Sequence, residues 1–152
     1  MFLNLRGIRV VMVPEVSPEV SAEAVERLLA ANKGSVLLDV RTKAEWSALH
    51  LDMPQARLLP LHEITPERID ELFPDKSTFI ATSCRTGRRA CEAAEKLKEM
   101  GYGRVVVVKN GLAGWTEMQS KRGAFTVEEL ARRRTILALH PDEFPENEGL
   151  EF

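Results

Sequence analysis

The sequence predicts an α/β domain of three layers, with a mainly parallel central sheet and helices on both faces. Short apolar runs alternate with stretches rich in helix formers, and the connections between them are short. Within the runs at residues 35–40 and 104–108, residues 36–38 and 105–108 are continuously apolar, which is typical of strands buried on both faces. Because the carboxyl ends of parallel strands share one edge of a sheet, the loops that follow these strands should gather there.

The composition is that of an ordinary globular protein. With 152 residues, 44% of them hydrophobic and 29% charged, the chain can bury a core without disulfides or a metal. The net charge of −2 gives no sign of nucleic-acid binding. Two cysteines make no disulfide framework, so we expect a cytoplasmic protein. Arg6 and Arg9 interrupt the apolar N-terminus, so neither a signal peptide nor a membrane partner is predicted.

The first third of the chain should form a strand, a helix and a strand. Gly7 to Val13 is the first predicted strand. Ser17 or Ser21 then caps a helix with an apolar stripe, which Asn32-Lys33-Gly34 ends. Ser35 to Val40 follows as a buried parallel strand.

A charged pair closes this second strand. Asp39 and Arg41 are two residues apart, so on a strand they share one face, at the carboxyl end where α/β sites lie. A solvated turn is the alternative, but we expect an inner ion pair that ties the strand end to the active loop. Thr42 can cap a helix from Lys43 to Leu49.

The middle of the chain continues the alternation. Ala56 to Leu59 is a brief strand, and Thr65-Pro66 starts a helix that runs to about Phe73, with proline in its first turn. Ile69 and Leu72 should face inward from this helix. Thr78 to Ser83 is the next strand.

Cys84 lies where this strand ends and a helix of residues 89–100 begins. Free N–H groups and the dipole at a helix start favour a thiolate, and three arginines add positive charge. Gly87 permits a tight turn. We interpret Cys84 as a nucleophile rather than a buried structural cysteine, because a core position would not tolerate such cationic neighbours. Cys91, on the apolar stripe of the following helix, is expected to pack in the core.

Residues 104–120 complete the predicted domain, which we place at residues 1–120. Arg104 to Val108 forms a central strand, and Asn110-Gly111 turns the chain. Leu112 to Gln119 forms a short helix, in which Trp115 is expected to be a core aromatic residue.

Residues 121–152 are predicted to be a C-terminal extension. Thr126 and Glu129 resemble a capping box for a helix from Val127 to Leu139. Its arginine triplet, residues 132–134, could bind an acidic partner, but a solvated helix face is the favoured interpretation. The acidic tail after Pro141 is expected to be partly disordered.

Four segments together resemble the rhodanese-like domain, a sulfurtransferase family, over about Val16 to Met118. They are "LLDVRTKAEW", "ALHLDMPQARLLPL", "TFIATSCRTGRRACEAAEKLKEMGY" and "VVVVKNGLAGW". By position, Cys84 matches the persulfide-forming cysteine, and Trp115 matches the tryptophan after the final glycines. The loop whose N–H groups ring the outer sulfur corresponds to Arg85, Thr86, Gly87, Arg88 and Arg89. The supporting "DVR…E" motif corresponds to Asp39, Arg41 and Glu45.

The sequence departs from the family pattern at two places. Residues 49–56 lack both glycines of the family's "GHIPGA" segment, and Asn110 stands where a second glycine is usual. Both are scaffold positions, so they bear on local loop shape more than on chemistry.

The resemblance implies a thiosulfate sulfurtransferase of the rhodanese type. Sulfur would pass from a small anionic donor to Cys84 and then to cyanide, a thiol or a protein cysteine, with Arg85 and Arg88 or Arg89 holding the donor. The persulfide on Cys84 would serve in place of a cofactor, and no metal is expected because the three histidines are scattered.

Two alternatives stay open. One is a phosphatase or arsenate reductase of the same fold, whose loop resembles cysteine, five residues and arginine. Ala90 occupies that arginine position in this chain. The other is a non-catalytic binding module or a sulfur-relay partner that uses the extension.

Overall fold

The computed structural model describes residues 17–144 in full and, before them, the backbone of β1 (Phe2–Leu5) and β2 (Ile8–Val11). These two strands pair antiparallel as a separate small sheet. Of the strand predicted over Gly7 to Val13, residues 8–11 are found as β2. Gly7, Met12 and Val13 lie outside the described residues. Residues 145–152 of the acidic tail also lie outside them.

A central sheet of five strands organises the domain. Its strands in chain order are β3 (Glu19–Val20), β4 (Val36–Asp39), β5 (Ala56–Leu58), β6 (Ile80–Ser83) and β7 (Val105–Val108). Across the sheet the order is β3-β7-β6-β4-β5, and every neighbouring pair is parallel. The predicted α/β class is confirmed. The edge strand β3 was not predicted, because two residues carry no periodicity.

Six α-helices lie within residues 17–144. They are α1 (Ala22–Ala31), α2 (Lys43–Ala48), α3 (Pro66–Leu72), α4 (Arg88–Glu99), α5 (Gly111–Lys121) and α6 (Val127–Ala138). Their bounds agree with the predicted ones to within two residues. Ser21, and not Ser17, caps α1, since its side chain accepts the backbone N–H of Ala24 at 3.2 Å. No helix in this part of the chain is long and apolar enough to cross a bilayer.

Each face of the sheet carries its own apolar cluster, because alternate side chains of a strand point to opposite faces. Val36 and Leu38 of β4 join the cluster that α3 and α4 cover, whereas Leu37 joins the cluster that α1 and α5 cover. Trp115 on α5 is 3% exposed, which confirms it as a core residue.

The short helix α3 departs from the prediction at one position. Ile69 is fully buried as expected, but the expectation for Leu72 is wrong, because it is 38% exposed. The residue that shares the buried face with Ile69 is Phe73, four positions on and just past the helix end. A helix of seven residues offers too narrow an inward face for Leu72 as well.

The extension packs on the domain through α6. Arg134 on α6 forms a bidentate ion pair with Glu117 on α5, at 2.9 Å for both contacts. Ile136 and Leu137 pack against the cluster under α1 and α5. The side chain of Thr126 caps α6 by accepting the Glu129 N–H at 3.1 Å. The other half of the predicted capping box is not formed, because the Glu129 carboxylate binds Arg132 and Arg133 instead.

The arginine triplet of α6 is paired within the protein. Arg132 and Arg133 both bind the carboxylate of Glu129, and Arg133 also lies over the ring of Phe125. With Arg134 held by Glu117, the contacts of the triplet fit a helix face rather than a patch of free charge.

Candidate active site

The loop between β6 and α4 holds Cys84 at the carboxyl edge of the sheet. Cys84 directly follows β6, which lies between β4 and β7. Its side chain belongs to the apolar cluster beneath α4, and the residue is 2% exposed. The expectation that cationic neighbours keep Cys84 out of the core is therefore wrong, because the residue is buried although those after it in the loop are polar. Its role as a nucleophile stays a prediction.

The loop curls so that a backbone N–H points at the sulfur. Gly87 has φ +123°, a conformation that favours glycine, and its N–H donates to Sγ of Cys84 at 3.0 Å. Gly87 is also the N-cap residue of α4, so the sulfur lies beside the positive end of that helix dipole. A negatively charged sulfur is stabilised by such an arrangement.

The start of α5 braces this loop. The N–H of Leu112 donates to the carbonyl of Cys84 at 2.8 Å, and that of Ala113 donates to the carbonyl of Arg85 at 3.1 Å. The approach is so close that a Cβ on Gly111 would lie 2.2 Å from the Cys84 carbonyl oxygen. Asn110, at the departure from the family pattern, adopts the left-handed conformation with φ 59°, which asparagine tolerates best among residues with a side chain.

The expected inner ion pair closes β4. Nε and Nη2 of Arg41 bind the carboxylate of Asp39 at 2.8 to 3.0 Å, and Arg41 is only 2% exposed. Nη2 of Arg41 also donates to the carbonyl of Leu49 at 2.7 Å. A solvated turn is excluded, but the pair ties β4 to the end of α2 and does not itself touch the Cys84 loop.

Glu45 makes the connection to the loop. Its carboxylate, 1% exposed as a residue, receives both arms of the Arg89 guanidinium at 2.6 and 2.9 Å. It also closes a capping box with Thr42 at the start of α2. The planar fork of Arg89 is thus occupied by a buried carboxylate, and the contact ties the first turn of α4 to α2. That Arg89 binds the substrate stays a prediction.

The two partners shift each other's ionisation. Burial works to raise the pKa of Glu45, but the hydrogen bonds from Arg89 and from the Thr42 backbone outweigh it, so the pKa lies below its usual value. The hydrogen bond to Glu45 raises the pKa of Arg89. Both groups are therefore charged at neutral pH.

The other two arginines of the loop have different surroundings. Nη1 of Arg85 donates to the carbonyl of Leu139, at the end of α6, at 3.1 Å. Arg88 is exposed, and within residues 17–144 its side chain has no hydrogen bond or ion pair. Thr86 is also exposed. Sequence reasoning assigned the donor to Arg85 together with Arg88 or Arg89, and it could not choose between the last two, since nothing local distinguishes them.

Cys91 fits its predicted place in part. It is half-buried against the cluster beneath α4, as a core-facing residue should be. Its sulfur also lies 3.8 Å from the Glu19 carboxylate. Burial, and then Glu19, raise the pKa of the Cys91 thiol, so this cysteine is protonated at neutral pH.

The three histidines are exposed. The ring of His50 stacks on Trp46 with centroids 4.2 Å apart, while the side chains of His62 and His140 are 78% and 61% exposed. Among the described residues no three His, Cys, Asp or Glu side chains are grouped as metal ligands.

Comparison with known proteins identifies one family. The model of the rhodanese-like domain matches residues 21–118, so it includes Cys84 and the whole sheet from β4 to β7. A sulfurtransferase of Allochromatium vinosum is 35% identical over 97 residues, which are 64% of this chain and 86% of that protein.

Two further relatives match this chain over different fractions of their own length. The putative sulfur carrier protein YrkF of Bacillus subtilis is 32% identical over 99 residues, 65% of this chain and 51% of that protein, so the match spans about half of YrkF. The structure of the human single-domain sulfurtransferase TSTD1 superposes with a TM-score of 0.54 and 24% identity. It covers 66% of this chain and 96% of that one. This last likeness concerns the fold alone.

Proposed function

This chain belongs to the rhodanese-like domain family, and on that premise we propose that it is a sulfurtransferase that carries a sulfane sulfur as a persulfide on Cys84. The observation that carries the proposal is the contact of 3.0 Å between the Gly87 N–H and Sγ of Cys84 at the start of α4. The sulfurtransferase of Allochromatium vinosum supports the same reaction class.

The first half-reaction loads the cysteine. The Cys84 thiolate attacks the outer sulfur of thiosulfate or a similar donor, an S–S bond forms to Cys84, and the S–S bond of the donor breaks. Sulfite leaves with the electron pair of that bond, so no proton is needed. The negative charge then lies on the outer persulfide sulfur, and preorganised N–H groups of the loop stabilise it as an oxyanion hole would.

The second half-reaction unloads it. A thiophilic acceptor, such as cyanide, a thiol or a protein cysteine, attacks the outer sulfur and takes it. The Cys84 thiolate leaves with the electron pair of the broken S–S bond and is ready for another donor. The persulfide itself is the carrier, so the cycle we propose uses no separate cofactor.

The loop arginines have separate tasks in this proposal. Arg88 is exposed and has no ion-pair partner in the described part of the chain, so it attracts and contacts the anionic donor at the entrance. Arg85 binds the donor with the N–H groups that Leu139 leaves unused. Arg89 is a positioning residue, because Glu45 holds its guanidinium.

Intact-mass measurement after incubation with thiosulfate tests the proposal. We expect the wild-type protein to gain one sulfur, about 32 Da, and to lose it again on addition of cyanide. C84S should gain nothing. C91S is the matched control and should keep most of the transfer, since the raised pKa of Cys91 disfavours its thiolate.

Other outcomes would redirect the assignment. Equal loss of transfer in C84S and C91S would contradict a single nucleophile and indicate a dithiol cycle. If the wild-type protein took up no sulfur but hydrolysed an aryl phosphate or reduced arsenate, the oxyanion alternative would replace our proposal.

A further inference from the structure

The C-terminal extension contacts the loop that holds the nucleophile. The hydrogen bond from Nη1 of Arg85 to the carbonyl of Leu139 joins residues 54 positions apart in the chain. The family match ends at residue 118, so Leu139 lies outside the part that this chain shares with its family. The contact is therefore an addition to the common domain, and it is made to the residue next to Cys84.

Several contacts fix where Leu139 lies. Arg134 pairs with Glu117 one turn before the end of α6, and Ile136 and Leu137 pack on the cluster that contains Trp115. Beyond Leu139, a short 3-10 turn leads to Phe144, which is 9% exposed. Packed residues on both sides of Leu139 thus hold its carbonyl in place.

The contact with Leu139 uses only one of the N–H donors of the Arg85 side chain. Leu139 is the C-cap residue of α6, and the last carbonyls of a helix carry partial negative charge. A guanidinium has five N–H donors in a planar fork. Leu139 accepts one of them, and the others have no acceptor among the side chains and backbone of residues 17–144. Half-burial limits how well water can replace that missing acceptor.

We propose that the Leu139 carbonyl, carried by α6, positions Arg85 so that its remaining N–H groups bind the anionic sulfur donor. This inference rests on the sulfur transfer proposed above. It makes docking of the extension a determinant of donor affinity. A flexible arginine side chain loses rotamer freedom when it binds, and a guanidinium already held at one arm loses less.

Substitutions in the ion pair between Arg134 of α6 and Glu117 of α5 can weaken or restore the packing of the extension without changing any residue of the Cys84 loop. R134E places two carboxylates together and should raise KM for thiosulfate roughly two- to fivefold with kcat little changed, the range expected for one exposed ion pair. The charge swap E117R/R134E should return KM to near the wild-type value. I136D, which attacks the apolar contact instead, should act in the same direction as R134E.

A double-mutant cycle with R85A separates positioning from general damage. R85A alone should raise KM about tenfold, as expected for loss of a charge-assisted hydrogen bond. Adding R134E to R85A should raise KM no further, because the arginine on which the extension acts is gone. R122E removes an exposed Arg–Glu pair to Glu26, whose described side chains form no hydrogen bond or ion pair with α6 or the loop, and it should leave KM unchanged.

A second readout is independent of turnover. Sulfate, an inert anion, should protect Cys84 from alkylation by iodoacetamide, and both R134E and R85A should raise the concentration needed for half protection. If the wild-type protein forms no persulfide, the proposed function fails, whereas the protection assay still tests Arg85. The inference is overturned if R134E and I136D leave both measurements unchanged, or if their effects persist in full in the R85A background.

Discussion

Arg85, Arg88 and Arg89 lie within five residues of one another, yet their surroundings differ. A backbone carbonyl of the extension receives Arg85, a buried carboxylate receives Arg89, and Arg88 faces solvent. These partners come from residues 45 and 139, far away in the sequence. The contacts of the three arginines are therefore set by the tertiary structure, and the loop sequence alone could not have predicted them.

Gly111 is a position where one methyl group should disturb the site. In G111A the new Cβ would meet the backbone oxygen of Cys84, which cannot swing aside as a flexible side chain would. We expect a loss of about 2–4 kcal/mol in the free energy of unfolding and a fall in the rate of persulfide formation. Urea unfolding and intact-mass time courses would measure the two effects.

Gly103 provides the control for that experiment. It has open space around the position of a Cβ and no positive φ, so G103A should be nearly neutral in both assays. A G111A protein with wild-type rate and stability would show that the loop yields easily, contrary to the bracing described for α5.

Glu45 should give the protein a specific dependence on pH. Its pKa in the folded protein is below the usual value of 4.5, so its contribution to stability is fully present above pH 4.5 and is lost as the pH falls through the lower folded value. E45Q should cost about 3 kcal/mol near neutral pH, because it leaves the half-buried Arg89 cation without its partner charge.

Urea unfolding of both proteins from pH 7 to pH 3 tests this expectation. The difference in unfolding free energy between wild type and E45Q should narrow as the pH falls below 4.5. A constant difference in unfolding free energy from pH 7 to pH 3 would mean that the negative charge of Glu45 does not contribute to stability.

At the scale of elements, three helices assemble the loop. α4 supplies the N–H environment of the sulfur, α5 holds the loop carbonyls from behind, and α2 presents Glu45 to Arg89. All three begin at the carboxyl edge of the parallel sheet, which is why a cysteine placed after β6 meets them.

Gly87 is both the N-cap residue of α4 and the donor of the N–H that contacts the sulfur of Cys84. In G87A the Cβ would meet no atom within 4 Å, so the cost is backbone strain alone, about 1–2 kcal/mol. Relief of that strain by rotation of the peptide would turn the N–H away from Cys84. We expect a slower loading step at saturating thiosulfate, measured by single-turnover mass spectrometry.

Gly101, at the other end of the same helix, is the matched control. It has φ +99° and equally open surroundings, so G101A should lose similar stability but load sulfur at the wild-type rate. Equal loading by G87A and G101A would argue against the Gly87 N–H as a stabilising group.

The elements themselves were largely predictable from local chemistry. Continuous apolar runs, serine and threonine caps and glycine stops located the helices, and all of the strands except β1 and the edge strand β3. The position of Cys84 between β6 and α4 followed from the same reasoning. Leu72 was misplaced because a stripe in a very short helix does not reveal how wide the buried face is.

At the scale of the whole molecule, the extension is packed on the domain rather than appended to it. We propose that the boundary near residue 120 marks the end of the family domain, because the family match ends at residue 118. It does not separate two independently packed units, since α6 rests on the same apolar cluster as α1 and α5. The acidic residues that neutralise the arginine triplet are Glu117 and Glu129. The sequence had indicated Glu129 only as part of a capping box, and it had not indicated Glu117.

Cooperative unfolding is expected from this packing. Trp115 belongs to the cluster on which Ile136 packs, so its fluorescence should change in the same urea transition as the far-ultraviolet circular dichroism. I136A should shift both signals together, by about 1 kcal/mol for a partly buried side chain. A W46F background leaves Trp115 as the single reporter. Loss of helical signal before the fluorescence transition would show that α6 unfolds separately.

The two duties of Glu45 also set how freely the chain can vary over evolution. One carboxylate both closes the capping box of α2 and anchors Arg89, so a replacement has to satisfy two geometries at once. Arg88, with no partner in the described residues, is under no such double demand. Selection should therefore preserve position 45 narrowly, while position 88 can vary more freely.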